Sequence, residues 1–306
     1  MLIREFSKQE LTRRLRETGV HLVTGAFTIH VRASLPQFAA EFAHMYRDYP
    51  IDEPPGIDDA RLAIEPTLMS FGQKARSLIN GNPAFRPVPA DRAYTLFETA
   101  LNWSVALTDI APMIMHAAVL ERDGRALILP APSGSGKSTL CAALASRGWR
   151  LLSDEMAIFG LDDARLRPNP RPISLKNNAV EVIRAFNPTA EMSRVYRGTP
   201  KGDIAFVRPP ADAIARAQER VLPGVIVSPR YDKDAAEAIE RLDRTKAFDL
   251  LAQNAVNYSS LLQAGFDMLT EIVERCDAYR LTYSDLERAV ETIGRLHRET
   301  AVVVRS

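Results

Sequence analysis

Arg125-Ala126-Leu127-Ile128-Leu129-Pro130-Ala131-Pro132-Ser133-Gly134-Ser135-Gly136-Lys137-Ser138-Thr139 is the stretch that decides how this chain folds. Arg125 to Pro130 is apolar on both faces, as a strand buried on both sides must be. Ser138 to Arg147 has a helical pattern, and Gly148 follows as a natural C-terminal stop. Between them lies a loop that matches G-x-x-x-x-G-K-[ST], except that Ala131 stands where the first glycine belongs. The chemistry of that pattern is specific. A triphosphate is a cluster of anionic oxygens, and backbone N–H groups turned inward by a tight loop bind it without mobile side chains. Gly134 and Gly136 supply the backbone freedom and the close approach. Lys137 is placed to reach the β- and γ-phosphates, Ser138 to ligate Mg²⁺, and the helix N-terminus adds its dipole. The stretch therefore predicts an ATP site made by Ser133, Gly134, Ser135, Gly136, Lys137, Ser138 and Thr139.

Working outward, Met113 to Leu120 is a short apolar run containing His116. Glu121-Arg122-Asp123-Gly124 reads as a hairpin turn into the strand that feeds the loop. On the other side Arg150 to Ile158 reads as one strand, so that strand, loop, helix and strand compose a βαβ unit. Asp154 and Glu155 lie in that last strand. A carboxylate beside the phosphates can hold Mg²⁺ and can accept a proton from an attacking hydroxyl. Lys176, Lys201 and Arg208 are candidate cations for the γ-phosphate or the substrate, because phosphoryl transfer spreads negative charge that must be neutralised.

The first third reads as a small α/β module. Val20 to Ala33 is β-rich, and Leu35 to Arg47 is helical with Ser34 as its N-cap. Asp48 to Asp59 reads as a loop. Ala60 to Met69 and Ala75 to Ile79 read as strands, with Asn80-Gly81 as a turn. Asp91 to Thr108 reads as a helix. In the last third, strands are expected at Asp203 to Val207, Val221 to Ser228 and Ala278 to Thr282. Helices are expected at Ala235 to Ala255, Ser259 to Arg275 and Ser284 to His297, the last with a capping box of Ser284 and Glu287.

The composition excludes several classes. With 306 residues, 46% hydrophobic and 25% charged, the chain reads as a globular protein of one large or two smaller domains. A formal net charge of +1 gives no electrostatic footprint for nucleic acid or an anionic membrane. The two cysteines, Cys141 and Cys276, are far apart and match no metal spacing, and the five histidines form no metal-ligand pattern. A reducing, cytoplasmic location is the expectation. Met1 to Val20 has no signal-peptide core, and Ala111 to Leu120 is too short to span a bilayer.

Met115-His116-Ala117-Ala118-Val119, then LILPAPSGSGKSTLCAALASRGWRLLSDE, resembles the HPr kinase/phosphorylase family and its wider fold group, which includes ATP-dependent phosphoenolpyruvate carboxykinase. In that family a Met-His-Gly-type strand precedes the phosphate loop and an Arg-Gly-x-Arg-Leu-Val-x-Asp-Asp strand follows it. Arg147-Gly148-Trp149-Arg150-Leu151-Leu152-Ser153-Asp154-Glu155 stands in the latter place. The resemblance covers roughly Met113 to Ile158. It implies that His116 is an active-site residue near the transferred phosphoryl group. It implies Asp154 as general base and Glu155 as a Mg²⁺ ligand in place of a second Asp. The downstream Glu-x-Arg-Gly-x-Gly signature of the family is not visible. Arg171-Pro172-Ile173-Ser174-Leu175-Lys176 and Thr199-Pro200-Lys201-Gly202-Asp203 look like the branch called HPr-kinase-related kinases. Some relatives there phosphorylate serine on a precursor peptide, and the family forms hexamers or other oligomers, which implies a homo-oligomer.

The expected fold is α/β, a P-loop kinase core of the HPr kinase/phosphoenolpyruvate carboxykinase type with a mixed β-sheet. A small N-terminal α/β module would occupy 1–108 and the ATP-binding catalytic domain 109–306. Three functions fit. One is an ATP- and Mg²⁺-dependent kinase acting on a serine of a peptide or small protein. The second is a kinase for a free amino acid or sugar. The third is a non-catalytic ATP-binding regulatory module. No set of residues for a second metal and oxaloacetate is visible, which disfavours carboxykinase chemistry.

Overall fold

The structure is a computed structural model that describes residues 1–52, 56–67, 73–106 and 113–303. The expected boundary between the two units, Met69 at the end of an expected strand and Thr108 at the end of an expected helix lie outside the described residues.

Helix α1 (Lys8–Glu17) starts from Ser7, whose side chain accepts from the Glu10 amide. It leads into β1 (Val20–Thr24) and β2 (Phe27–Ala33), each burying alternate residues. Helix α2 (Pro36–Met45) follows. Its N-cap is Leu35, with Pro36 at the first helical position. Ser34 is not the cap; it lies one residue before it, and its amide donates to the Ile64 carbonyl in the neighbouring strand. Strands β3 (Ala60–Pro66), β4 (Lys74–Ile79), β5 (Asn82–Pro83) and β6 (Val88–Pro89) complete a sheet of order β1-β2-β3-β4-β5, with β6 also on β4. Asn80 and Gly81 both have positive φ, the turn that an Asn-Gly pair favours. Helix α3 (Ala93–Ala106) packs on this sheet. Phe38, Phe42, Tyr46 and Phe97 meet in stacked and edge-on pairs, and Tyr94 carries the cluster on to Tyr196 and Phe206. The N-terminal core is thus continuous with residues far along the chain.

The chain from residue 113 onward contains β7 (Met113–Met115), β8 (Ala117–Arg122), β9 (Arg125–Pro130), α4 (Lys137–Ser146), β10 (Arg150–Ser153) and β11 (Ala157–Phe159). Next come β12 (Ile173–Lys176), α5 (Ala179–Phe186), β13 (Tyr196–Thr199), β14 (Gly202–Val207), α6 (Ala211–Ala215) and β15 (Leu222–Tyr231). The chain ends with β16 (Ala238–Leu242), α7 (Arg244–Asn254), α8 (Tyr258–Arg275), β17 (Asp277–Tyr283) and α9 (Leu286–Val303). The main sheet is six-stranded and mixed, in the order β10-β8-β9-β15-β17-β16. Strands β9, β15 and β17 are parallel, and the edges are antiparallel. Both faces are buried. Leu120, Leu127, Leu129, Val225 and Val227 pack with α4 and α9, while Val119, Ala126, Ile128 and Ile226 pack with α7 and α8. That is the physical reason Arg125 to Pro130 reads as apolar without alternation.

Four sequence expectations change. The strand expected from Arg150 to Ile158 is two strands, β10 and β11, and the strands on either side of α4 are not neighbours, because β8 lies between them. The helix expected from Ala235 begins only at Arg244; Ala238–Leu242 forms the edge strand β16, its side chains exposed except Leu242. Pairing with β17 outweighs the helical pattern of so polar a segment. Helix α9 is capped by Asp285, whose carboxylate accepts from the Arg288 amide at 2.8 Å, one residue beyond the expected Ser284. A further three-stranded sheet, β12-β14-β13, carries Lys176 at the end of β12. No helix among the described residues is long and apolar enough to cross a membrane.

Candidate active site

The site forms where two paired strands break at the same level. Phe159, Ile158 and Ala157 pair with Met113, Ile114 and Met115. Pairing resumes with Ser153 opposite Val119, Leu151 opposite Leu120 and Arg150 opposite Glu121. His116 on one side and Asp154, Glu155 and Met156 on the other fall in the gap. The α7–α8 junction takes up the free edge: the His116 amide donates to the Asn254 carbonyl at 2.7 Å, and the Val256 amide to the Ile114 carbonyl at 2.7 Å. The break turns three ionisable side chains toward the end of β9, where the glycine-rich loop begins.

The loop has the backbone its sequence predicts. Gly134 and Gly136 both have φ of +89°, the left-handed region that favours glycine. A Cβ on Gly134 would meet nothing, so there the dihedral alone demands glycine. A Cβ on Gly136 would come within 2.5 Å of the Tyr283 hydroxyl and 2.9 Å of the Tyr231 Cβ. Helix α4 starts at Lys137 with no side chain capping its first amides. These N–H groups and the helix dipole are free to face an anion. The Ser135 hydroxyl oxygen is buried and has no hydrogen-bond partner among the described residues.

Lys137 is buried, and its Nζ lies 2.8 Å from His116 Nε2. An ammonium can only donate, so Nε2 must be the bare nitrogen and the imidazole proton sits on Nδ1. Nδ1 faces Glu155 Oε2 at 3.7 Å. Burial, and then the Lys137 charge, push the His116 pKa below its usual value, in keeping with this neutral tautomer. Burial also lowers the Lys137 pKa, opposed by Asp154 and Glu155.

Asp154 is buried beneath them. Its Oδ2 accepts from the Ser174 amide of β12 at 3.3 Å, while Oδ1 is buried without a partner. Burial, and then the Glu155 charge, raise its pKa from 3.8 to about 6, with Lys137, Ser138 and Ser174 pulling the other way. The Cys141 thiol, one turn into α4, is pushed well up by burial and by Asp154, which leaves it a neutral, inert side chain.

His116, Lys137 and the adjacent pair Asp154 and Glu155 are thus brought together from three places in the chain. Lys176, at the end of β12, is close enough to depress the pKa of both His116 and Lys137. Lys201 sits in the β13–β14 hairpin turn, where its amide donates to Thr199 Oγ1 at 3.2 Å. Arg208 is engaged elsewhere: it pairs with Glu191 at 2.5 Å and lies 4.0 Å from Asp48 of the N-terminal unit. Among the described residues no group of three or more His, Cys, Asp or Glu assembles a metal cage. The Ser174 amide and the Asn254 carbonyl are backbone contributors to the site. Tyr231 and Tyr283, at the ends of β15 and β17, touch the loop through the Ser135 and Gly136 carbonyls. No short-range sequence pattern marks any of the four.

No protein-family model matches this chain. No curated protein matches it either. Among solved structures it is similar to the Hpr(Ser) kinase/phosphatase from Coxiella burnetii, with 14% identity over 63% of this chain and 99% of that one, at a TM-score of 0.29. A likeness at that level decides neither the fold nor the activity.

Proposed function

We propose that this chain is an ATP-dependent phosphotransferase, a kinase of the HPr-kinase-related type that acts on a serine hydroxyl of a peptide or small protein. The observation that carries the reading is the convergence of Lys137, His116, Asp154 and Glu155 at one end of a glycine-rich strand-to-helix loop. In the proposed reaction the acceptor oxygen forms a bond to the γ-phosphorus, the bond from that phosphorus to the β–γ bridging oxygen breaks, and ADP leaves. Asp154 takes the proton of the acceptor hydroxyl, for which a carboxylate titrating near 6 is well matched to neutral pH. Lys137 exchanges its His116 partner for the β- and γ-phosphates and stabilises the charge that develops there. Neutral His116 keeps the Lys137 ammonium aimed at the loop before substrate arrives.

The oxygen donors suit magnesium: the unpartnered Asp154 Oδ1, the Ser138 hydroxyl and the Glu155 carboxylate are the groups that would hold it. Bound there, the ion would neutralise phosphate charge.

The peptide acceptor is supported by the resemblance of Met113 to Ile158 and by the two downstream segments that carry Lys176 and Lys201. The test is incubation of the protein with ATP, Mg²⁺ and a panel of serine-containing peptides and free amino acids, read by mass spectrometry. A phosphopeptide is the expected product. A phosphorylated free amino acid as the sole product would replace the peptide acceptor with a small molecule. ATP binding without transfer to any member of a broad panel would overturn the kinase reading in favour of a regulatory ATP-binding module.

A further inference from the structure

His116, Asp154 and Glu155 flank the loop on the side of β7, β8 and β10. The other flank is formed by the ends of β15 and β17. Strand β15 pairs with β9 no farther than Ile226 opposite Ile128, then continues to Tyr231 alongside the loop. The Tyr231 amide donates to the Ser135 carbonyl at 2.9 Å, which pins this residue to the loop through the main chain. Tyr283 is buried behind it; its hydroxyl donates to the Gly136 carbonyl at 3.3 Å, and its ring meets that of Tyr231 at 5.6 Å and 64°. Tyr231 is therefore held in place from two sides, yet it remains 51% exposed. A fixed aromatic ring left half in water beside a phosphate-binding loop is a stacking surface looking for a flat partner.

The direction of the bound molecule supplies that partner. A triphosphate whose γ-end lies among Lys137, His116 and Asp154 must leave its nucleoside end on the opposite flank of the loop. We propose that Tyr231 is the platform on which the nucleobase of the triphosphate stacks, with Tyr283 bracing the ring. This rests on the phosphate-loop reading given above and adds the base subsite, for which the motif itself holds no residue. The Arg230–Asp232 pair, 3.8 Å apart, borders the platform in solvent. Base-on-aromatic stacking tolerates any base, so the surface alone sets affinity rather than strict choice among nucleotides.

The test separates base from phosphate. The intact protein, Tyr231→Ala and Tyr231→Phe are each titrated calorimetrically with ATP and with inorganic tripolyphosphate, both with Mg²⁺. Removing a stacked aromatic weakens base binding by about tenfold or more. Tyr231→Ala is expected to lose that factor for ATP and nothing for tripolyphosphate, since the amide that holds Ser135 is retained. Tyr231→Phe is expected to bind ATP like the parent. Undiminished ATP affinity in Tyr231→Ala would overturn the base subsite while leaving the phosphate loop standing. An equal loss for both probes would show that Tyr231 shapes the loop instead, and would also overturn it. Failure of the parent to bind tripolyphosphate would remove the phosphate reading itself, and the subsite with it.

Discussion

Asp154→Asn should make this protein more stable while depriving it of its base. Asp154 is 5% exposed, one of its oxygens is buried without a partner, and Glu155 stands beside it. Its folded-state pKa of about 6 against 3.8 is a raised one. Each pKa step is worth about 1.4 kcal/mol, so ionised Asp154 costs the fold roughly 3 kcal/mol near neutral pH. In the window between 3.8 and about 6 the folded state binds the proton and the unfolded chain does not. Stability from this group is therefore lost as pH rises through that window, the reverse of an ion-paired carboxylate. A neutral carboxamide escapes the cost, but its NH₂ needs a partner that Oδ1 did not have, which costs about 1–3 kcal/mol, so a net stabilisation of about 1 kcal/mol, and at most about 2, is expected. Urea denaturation followed by fluorescence is a suitable assay, because Trp149 is buried in the same unit while Trp103 is exposed. The gain should shrink toward zero as pH is lowered below 3.8, where both states carry the proton. A variant no more stable than the parent near neutral pH, or a gain that does not change with acid, would refute the reasoning.

Three further outcomes are expected. With Asp154 as the base, kcat/KM should rise with pH through about 6 and level off above it, since the deprotonated form is the active one; a profile flat from about pH 5 to about pH 7 would contradict it. Gly136→Ala should abolish measurable ATP binding in calorimetry, because its Cβ would be 2.5 Å from the Tyr283 hydroxyl at a φ of +89°, whereas a variant that binds normally would mean the loop geometry is not needed. Glu121→Ala should destabilise the protein by roughly 3 kcal/mol in denaturant titrations, because it removes the buried carboxylate 2.7 Å from Arg150 and leaves that buried guanidinium only the exposed Glu219 carboxylate at 3.6 Å. The same change also removes the acceptor for the Gly124 amide in the hairpin turn that feeds β9.

Local chemistry was legible in the sequence; long-range pairing was not. Asp123-Gly124 and Asn80-Gly81 announce their turns because only such pairs accept two positive φ angles in succession, and both do so here. Gly134 and Gly136 announce the loop for the same reason. The strand Arg125–Pro130 has the boundaries its apolar run predicts. What escaped reading depends on partners distant in sequence. Nothing in Arg150 to Ile158 says that pairing stops at Asp154, because the break is imposed jointly with His116 and with Asn254 of the α7–α8 junction. The segment Ala238–Leu242 is polar enough for a surface helix and becomes a strand only because β17 offers an open edge. His116 could be singled out from the sequence only through the family resemblance; its contact with Lys137 required the fold. Arg208 looked like a phosphate ligand by charge, and its Glu191 and Asp48 neighbours could not be foreseen from spacing.

The central claim is that the loop presents a γ-phosphoryl group to a hydroxyl activated by Asp154. The most direct measurement is single-turnover transfer from γ-labelled ATP to an acceptor serine peptide, by the parent and by Asp154→Asn at matched ATP occupancy. The account predicts label in the peptide with the parent, and retained ATP binding with transfer reduced by about a hundredfold or more in the variant. Transfer at the parental rate by Asp154→Asn would contradict it.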